Sequence, residues 1–392
     1  MTYALLSAGF LAVAVLGGVL FARAAGPARP VWGAVAIAGV ALLVLTAVFD
    51  TLMIAAGLFT YEDGLVSGVR VGLAPVEDFA YPLAVAVALP ALWVLLTRRQ
   101  AVSAGALLRH AWVASRPVSW VNTAFPFAAA MLLTTREIDW LLVVGTLYYL
   151  VPYNLAMYGI NDVFDYASDV QNPRKGGIEG ALLPPEFHRP LLWLALASNV
   201  PFLIVLLAAG TPASALAIAV STFALVAYSA PRLRFKERPV LDSLTSSAHF
   251  VTPAVVGLAL AGARVDAGLV LTLAAFFIWG VAAHAFGAVQ DIVPDREAGI
   301  GSIATAFGAA RTVRLALVMW LVAGLLMLAV PWPGPLAAVI ALLYLLNCAP
   351  FVRVTDADSA RSNRAWRRFI WLNYLSGFLV TLILILFWSV SS

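Results

Sequence analysis

Two groups of carboxylates stand out in a chain that carries little charge. The first is Asn161-Asp162-Val163-Phe164-Asp165-Tyr166-Ala167-Ser168-Asp169, and the second is Asp291-Ile292-Val293-Pro294-Asp295. Positions four apart on an α-helix drift by only about 40° around its axis. Asn161, Asp165 and Asp169 therefore share one face, and Asp291 and Asp295 share another. Asp162 lies off the first face, where it could meet a neighbouring loop. Mg²⁺ prefers oxygen ligands and often binds through one or two carboxylates plus substrate phosphates. Two such faces on one cavity could clamp a diphosphate between metal ions. The simpler alternative is helix-end carboxylates paired with basic loops. It suits one cluster better than two on the same side of a membrane.

Each cluster follows a long apolar run, so each is expected at the end of a membrane helix. Hydrophobic residues make up 62% of the 392, charged residues 11%, and the mean hydropathy is +0.94. Soluble domains carry about 25% charged residues. The chain therefore reads as an all-α integral membrane protein lodged in a lipid bilayer. Windows of about 20 apolar residues can be placed about 12 times. The second is expected to end near residue 49, the third to begin at 78 and the last to cover 369–389. The first run has no basic residue before it and no clear cleavage site, so it reads as a membrane helix. Nothing in the charge pattern suggests nucleic-acid binding. The one cysteine, Cys348, lies in an apolar run and reads as an inert buried thiol.

Basic residues orient the layout. With the loop of Arg23 and Arg29 in the cytoplasm, 21 of the 24 Lys and Arg residues become cytoplasmic, leaving Arg70, Arg136 and Arg264 outside. Both termini are then outside, and both acid clusters face the cytoplasm. The only lysines, Lys175 and Lys236, sit in cytoplasmic loops beside Arg174 and Arg238. All four could neutralise phosphate oxygens, or simply be positive-inside charge. Tyr148, Tyr149, Tyr153 and Tyr158 precede the first cluster. One or two of them could face the cavity and stabilise a cation; the rest read as packing. His284 lies seven residues before Asp291, which would share its face on a continuous helix. It either accepts a proton or hydrogen-bonds in the cavity. His249 reads as structural.

The pattern Asn161-x3-Asp165-x3-Asp169, then Asp291-x3-Asp295, resembles the UbiA superfamily of intramembrane prenyltransferases. So do Tyr228-Ser229-Ala230-Pro231, Lys236-Glu237-Arg238-Pro239 and Asp295-Arg296-Glu297-Ala298-Gly299-Ile300. The resemblance covers roughly residues 105–392. It implies nine membrane helices around a central cavity, Mg²⁺ as cofactor, and an allylic diphosphate ionised so that its prenyl cation reaches an acceptor. Asn172-Pro173-Arg174-Lys175-Gly176-Gly177 and the run from Gln290 to Thr305 look like the lycopene elongase branch. That branch adds dimethylallyl units from dimethylallyl diphosphate to the ends of lycopene, giving C50 carotenoids.

The first 100 residues form a separate three-span unit. Asp50, Gly57-Leu58-Phe59-Thr60-Tyr61 and Pro75-Val76-Glu77-Asp78-Phe79 resemble one subunit of the heterodimeric lycopene cyclases. The resemblance implies a second small membrane subunit as partner, and a carboxyl group handling a proton during ring closure. Glu77 is the first candidate, Asp78 the second and Asp50 the third. Alternatively, Glu77 and Asp78 simply begin a helix, where the dipole favours acids. The topology puts Glu77 outside and Asp165 inside, a separation that a lycopene-length polyene could span. The whole chain thus reads as a bifunctional C50 carotenoid enzyme. A transferase acting on a quinone precursor or another aromatic acceptor, with the first three spans as an assembly module, is the runner-up. A transporter would need repeated halves and a midplane site, and the three-plus-nine split supplies neither.

Overall fold

The computed structural model describes residues 2–25, 32–62, 64–98, 104–170 and 182–390. Arg174 and Lys175 lie outside the described residues. The fold is all-α, and twelve helical stretches among the described residues are long and apolar enough to cross a membrane. Lipid offers no partners for backbone polar groups, so they are satisfied within the helices or, where a helix breaks, by interior side chains. The chain is a multi-pass membrane protein of two compact units, residues 1–109 and 110–392.

In the first unit, α1 (Thr2–Ala25), α2 (Trp32–Ala55) and α3 (Ala80–Arg98) form a three-helix group. The helix α3 packs along α1 and, less extensively, along α2. A two-residue antiparallel ribbon, β1 (Arg70–Val71) and β2 (Ala74–Pro75), lies between α2 and α3 in the chain. Its turn is pinned to α2, because the Leu73 amide donates to Thr51 Oγ1 at 3.1 Å. Gly72 turns the chain there at φ +66, and a Cβ would come within 2.5 Å of Thr51 Oγ1. A short 3-10 turn, Val76–Phe79, then leads into α3. The helix α2 runs six residues past its expected end, so Asp50 sits on the helix rather than in a loop.

The second unit begins within α4 (Ala104–Ala114). Its helices are α5 (Val121–Thr135), α6 (Trp140–Leu150), α7 (Pro152–Phe164), the single turn α8 (Tyr166–Asp169), α9 (His188–Ala209), α10 (Pro212–Ser229), α11 (Leu241–Leu260), α12 (Ala267–Val289), the short α13 (Ile292–Glu297) and α14 (Ile303–Phe307), α15 (Ala309–Leu328), α16 (Ala338–Cys348) and α17 (Asn363–Val390). The helix α11 packs against α5, α10 and α12, and α12 packs against α15. A core of Phe286, Trp320, Tyr344 and Phe369 joins α12, α15, α16 and α17.

One crossing is broken where the sequence suggested a single helix. Pro152 has no amide hydrogen to continue the ladder, so α6 stops and α7 restarts. The break exposes carbonyls in the interior. Asn154 Nδ2 donates to the Tyr149 and Leu150 carbonyls at 2.7 and 3.1 Å, and Thr123 Oγ1 donates to Tyr149 at 2.7 Å. Tyr148, Tyr149 and Tyr153 pack edge-on or tilted around this break and are almost wholly buried. They are core residues. Tyr158, one turn before the first acid cluster, keeps partial exposure.

Candidate active site

The first cluster forms at the junction of α7 and α8. The amide of Asp165 donates to the Asn161 carbonyl at 2.9 Å, and that of Asp169 to the Asp165 carbonyl at 2.8 Å. These i to i−4 bonds carry the helical register across the junction, so the three side chains share a face as their spacing requires. The Asn161 amide donates to Asp165 Oδ2. It also reaches Ser229 Oγ at 3.4 Å, tying the cluster to the end of α10. Asp165 and Asp169 are buried.

Asp162 points elsewhere and is completely buried. It accepts a hydrogen bond from Arg116 Nη2 at 2.9 Å in an ion pair. Arg116 sits at φ 50 just before Pro117. Its guanidinium also lies 4.3 Å above the Tyr158 ring. No motif marks Arg116 in the sequence, because the pair joins residues far apart in the chain. Removing one partner of a buried ion pair costs about 3–5 kcal/mol, since the other charge stays behind. Arg116→Met is therefore expected to lower thermal stability sharply in detergent. Arg116→Met with Asp162→Asn should recover most of the loss. A single mutant as stable as the parent would show that the pair is not held.

The second cluster follows α12. The Asp291 amide bonds to the Ala288 carbonyl three residues back, and the Asp295 amide to the Asp291 carbonyl at 2.8 Å. Asp291 and Asp295 therefore share a turn. His284 and Asp291 do not lie on one continuous helix, because α12 ends at Val289. Around this turn the loop is braced. Arg296 pairs with Asp356 at 2.8 Å, and Asp356 Oδ1 accepts from the Ala309 amide at 2.7 Å. That amide and Arg296 hold the Asp356 carboxyl below its ordinary range.

Between the clusters lies the loop after α10. Lys236 forms an ion pair with Asp165, and Arg234 lies 3.8 Å from the same carboxylate. Lys236 is also within electrostatic reach of Asp162 and of Asp295 in the second cluster. Burial pushes its ammonium down to about 8, while Glu237, Asp162 and Asp295 oppose the shift. The loop after the second cluster packs directly on this one: a Cβ on Gly301 would stand 2.7 Å from the Glu237 carbonyl. Arg238 is exposed, and its guanidinium donates to the Arg232 carbonyl at 3.1 Å, bracing the loop. Sequence reasoning named Lys236 because lysine is rare here. It missed Arg234, which pairs with Glu237 as well.

Beside the first cluster, three helices bring a polar group together. Tyr228 of α10 places its hydroxyl 3.1 Å from His284 Nε2 on α12. Ser243 of α11 places its hydroxyl 3.0 Å from His284 Nδ1. Asp242 is buried and accepts from the Ser243 and Ile303 amides at 2.8 and 2.7 Å. His249 lies under the Tyr228 ring, with its Nε2 buried and lacking a hydrogen-bond partner.

No three His, Cys, Asp or Glu side chains converge as a ready cation site among the described residues. The Lys236 ammonium instead occupies the cationic position against Asp165. Carboxylate oxygens in two clusters, both within electrostatic reach of that ammonium, are the hard donors that suit Mg²⁺ completed by substrate phosphates.

In the first unit the three carboxyl candidates are not equivalent. Glu77 is buried, and its Oε1 accepts from the Ser67 amide at 2.6 Å, which fixes the loop. Its Oε2 has no hydrogen-bond partner. Asp78 Oδ2 accepts from the Tyr61 hydroxyl at 2.7 Å. Asp50 lies within hydrogen-bonding reach of Asp78. Burial, then the Asp78 bond, raises the Tyr61 phenol above its ordinary value. Tyr61 was part of the quoted motif but was not expected to touch a carboxylate.

Residues 123–375 match the UbiA prenyltransferase family. The chain is 48% identical to a C(50) beta-cyclic carotenoids biosynthesis protein of Dietzia sp. (strain CQ4), over 94% of this chain and 93% of that protein. It is 49% identical to a lycopene elongase/hydratase of Corynebacterium glutamicum, over 71% of this chain and 97% of the relative. A UbiA homolog from Archaeoglobus fulgidus, solved with DMAPP and Mg2+, has a similar fold at TM-score 0.52 and 21% identity, covering 68% of this chain and 98% of that one.

Proposed function

The chain belongs to the UbiA prenyltransferase family, and from that premise we propose that it transfers dimethylallyl units from dimethylallyl diphosphate to the ends of lycopene or a similar polyene. The observation that carries this reading is Lys236, paired with Asp165 of one cluster and within electrostatic reach of Asp295 of the other. A largely desolvated ammonium against one carboxylate cluster and within reach of the other suits a place where a diphosphate and its counter-charges fit. Relatives named for C50 carotenoid synthesis and lycopene elongation favour the polyene acceptor.

Asn161, Asp165, Asp169, Asp291 and Asp295 would hold Mg²⁺. Bound there, the ion would supply charge stabilisation for the departing diphosphate. The chain's own groups do the rest. Lys236 and Arg234 bind phosphate oxygens, joined by Arg174 and Lys175. Arg238 stiffens their loop. As the allylic C–O bond breaks, the diphosphate keeps the electron pair. The terminal double bond of the polyene then bonds to the freed carbon, leaving a tertiary cation on the polyene. Tyr158 and Tyr228, both partly exposed, are the rings that would attract that cation. His284 takes the proton that ends the reaction. An apolar surround keeps bulk water from the cation until then.

Residues 1–100 would contribute to cyclising the end group through Glu77, Asp78 and Asp50, with a second small membrane subunit, and residues 105–392 would carry the transferase. Lipid surrounds both. The metal site faces the cytoplasm in this reading, and both termini lie outside. A cysteine introduced at Gly176 should resist an impermeant thiol reagent in intact cells, and one introduced at Ser67 should react. The reverse pattern would invert the orientation.

The deciding experiment expresses the full chain in lycopene-accumulating cells, with and without a candidate cyclase partner, and weighs the pigments. Lycopene extended by five-carbon units is expected in both cases, and cyclic end groups only with the partner. Unextended lycopene beside a prenylated quinone precursor would replace the acceptor.

A further inference from the structure

The relay around His284 does more than the transferase reading asks of one base. Both ring nitrogens are engaged by hydroxyls from different helices, Tyr228 Oη at Nε2 and Ser243 Oγ at Nδ1. A neutral imidazole donates at one nitrogen and accepts at the other. Tyr228 and His284 retain partial accessibility, whereas Ser243, Asp242 and His249 are buried. The relay is therefore partly accessible at Tyr228 and His284 and closed at the serine. Ser243 is fixed from behind, because its amide donates to Asp242. The Asp242 carboxylate lies within electrostatic reach of both Tyr228 and His284, so a positive charge arriving on the imidazole would be stabilised.

Resting on the transferase reading above, we propose that Tyr228, His284 and Ser243 form a directed proton relay that decides how the prenylated polyene cation is quenched. In the resting state Nδ1–H donates to Ser243 Oγ, and Tyr228 O–H donates to Nε2. The cation sheds a proton from the carbon beside it to the Tyr228 oxygen, and the electrons of that C–H bond become the new double bond. In the same step the Tyr228 proton moves to Nε2. Tyrosine stays neutral, and the imidazolium forms between Tyr228 and Ser243, within electrostatic reach of Asp242. No oxidant, reductant or further reactant is needed. Proton loss from carbon requires a base in contact, whereas a captured water can lose its proton to solvent. An intact relay thus favours the alkene over the tertiary alcohol. Tyr228 is the catalytic residue at the accessible end. Ser243 is a positioning residue that holds the tautomer.

The test uses membranes carrying the full chain, without a cyclase partner, supplied with dimethylallyl diphosphate, Mg²⁺ and lycopene in ¹⁸O-labelled water. The quantity read is the ratio of ¹⁸O-containing to unlabelled elongated product per diphosphate released. Tyr228→Phe should raise it about tenfold. Ser243→Ala should raise it about threefold, and Ser243→Thr, which restores the hydroxyl, should return it towards the parent value. If Tyr228→Phe does not fold, the two Ser243 variants decide the matter. An unchanged ratio in Ser243→Ala and in any folded Tyr228→Phe overturns the relay while elongation stands. A threonine variant indistinguishable from alanine also overturns it. A parent chain that does not extend lycopene at all overturns the transferase reading and the relay with it.

Discussion

Asp291→Ala and Asp165→Asn are each expected to lower diphosphate release on the order of 10²–10³-fold, the scale seen when a group stabilising transition-state charge is removed. The substitutions differ for a physical reason. Asp165 is buried against Lys236 and accepts from the Asn161 amide. Alanine there would add a void and the loss of the Asn161 bond to the loss of charge, and so confuse folding with chemistry. Asparagine keeps the shape and the hydrogen-bonding capacity but drops the charge. Asp291 is partly accessible, so alanine is tolerable there. The measurement is diphosphate release in membranes against Mg²⁺ concentration, with thermal unfolding as a control. Raising Mg²⁺ should recover part of the Asp291→Ala loss if its carboxylate serves to hold the ion. Turnover near the parent value in either variant, or full activity in excess chelator, would remove the clusters from the chemistry.

Those carboxylates were legible in the sequence because helical periodicity is local. Four-residue spacing places side chains together whatever the rest of the fold does, and the Asn161–Asp165–Asp169 register survives the junction of α7 and α8. The number of crossings was legible for a similar reason: the bilayer forces each one into a long apolar run. Helix ends were less so. The helix α17 begins at Asn363, six residues before its expected start, because Arg364, Arg367 and Arg368 lower the local hydropathy without interrupting the helix. Of the four tyrosines around Pro152, one or two are expected to face the cavity and the rest to pack; three close a broken helix, and Tyr158 alone keeps partial exposure. Only the packing around Asn154 and Thr123 distinguishes those roles. Arg116 and the hydroxyls around His284 depend on contacts between helices distant in the chain. The sequence marked His284 and, within a family motif, Tyr228, but neither their contact nor Ser243.

The largest effect expected in the first unit belongs to Asp78. Asp78→Asn should abolish cyclic end groups when the cyclase partner is present, so that open-chain elongated pigments accumulate. The reason is the company Asp78 keeps. It accepts from Tyr61, and Asp50 is within hydrogen-bonding reach of it. Two carboxyls and a phenol in contact can carry a proton to or from a closing ring, and general acid–base groups typically contribute about 10²–10⁴-fold. Asparagine preserves the Tyr61 bond through its carbonyl but cannot exchange a proton usefully. Glu77→Gln tests the other candidate under the same conditions. Its Oε1 holds the Ser67 amide, a bond that glutamine can keep, so its effect on cyclisation should be the smaller of the two. Pigment composition by mass and absorption reads both variants. Should Glu77→Gln stop cyclisation while Asp78→Asn does not, the unpartnered Oε2 of Glu77 becomes the acid–base group and the Asp50–Asp78–Tyr61 contacts become structural. Should both variants also stop elongation, the two units act as one and their chemistry is not separable at the junction near residue 109.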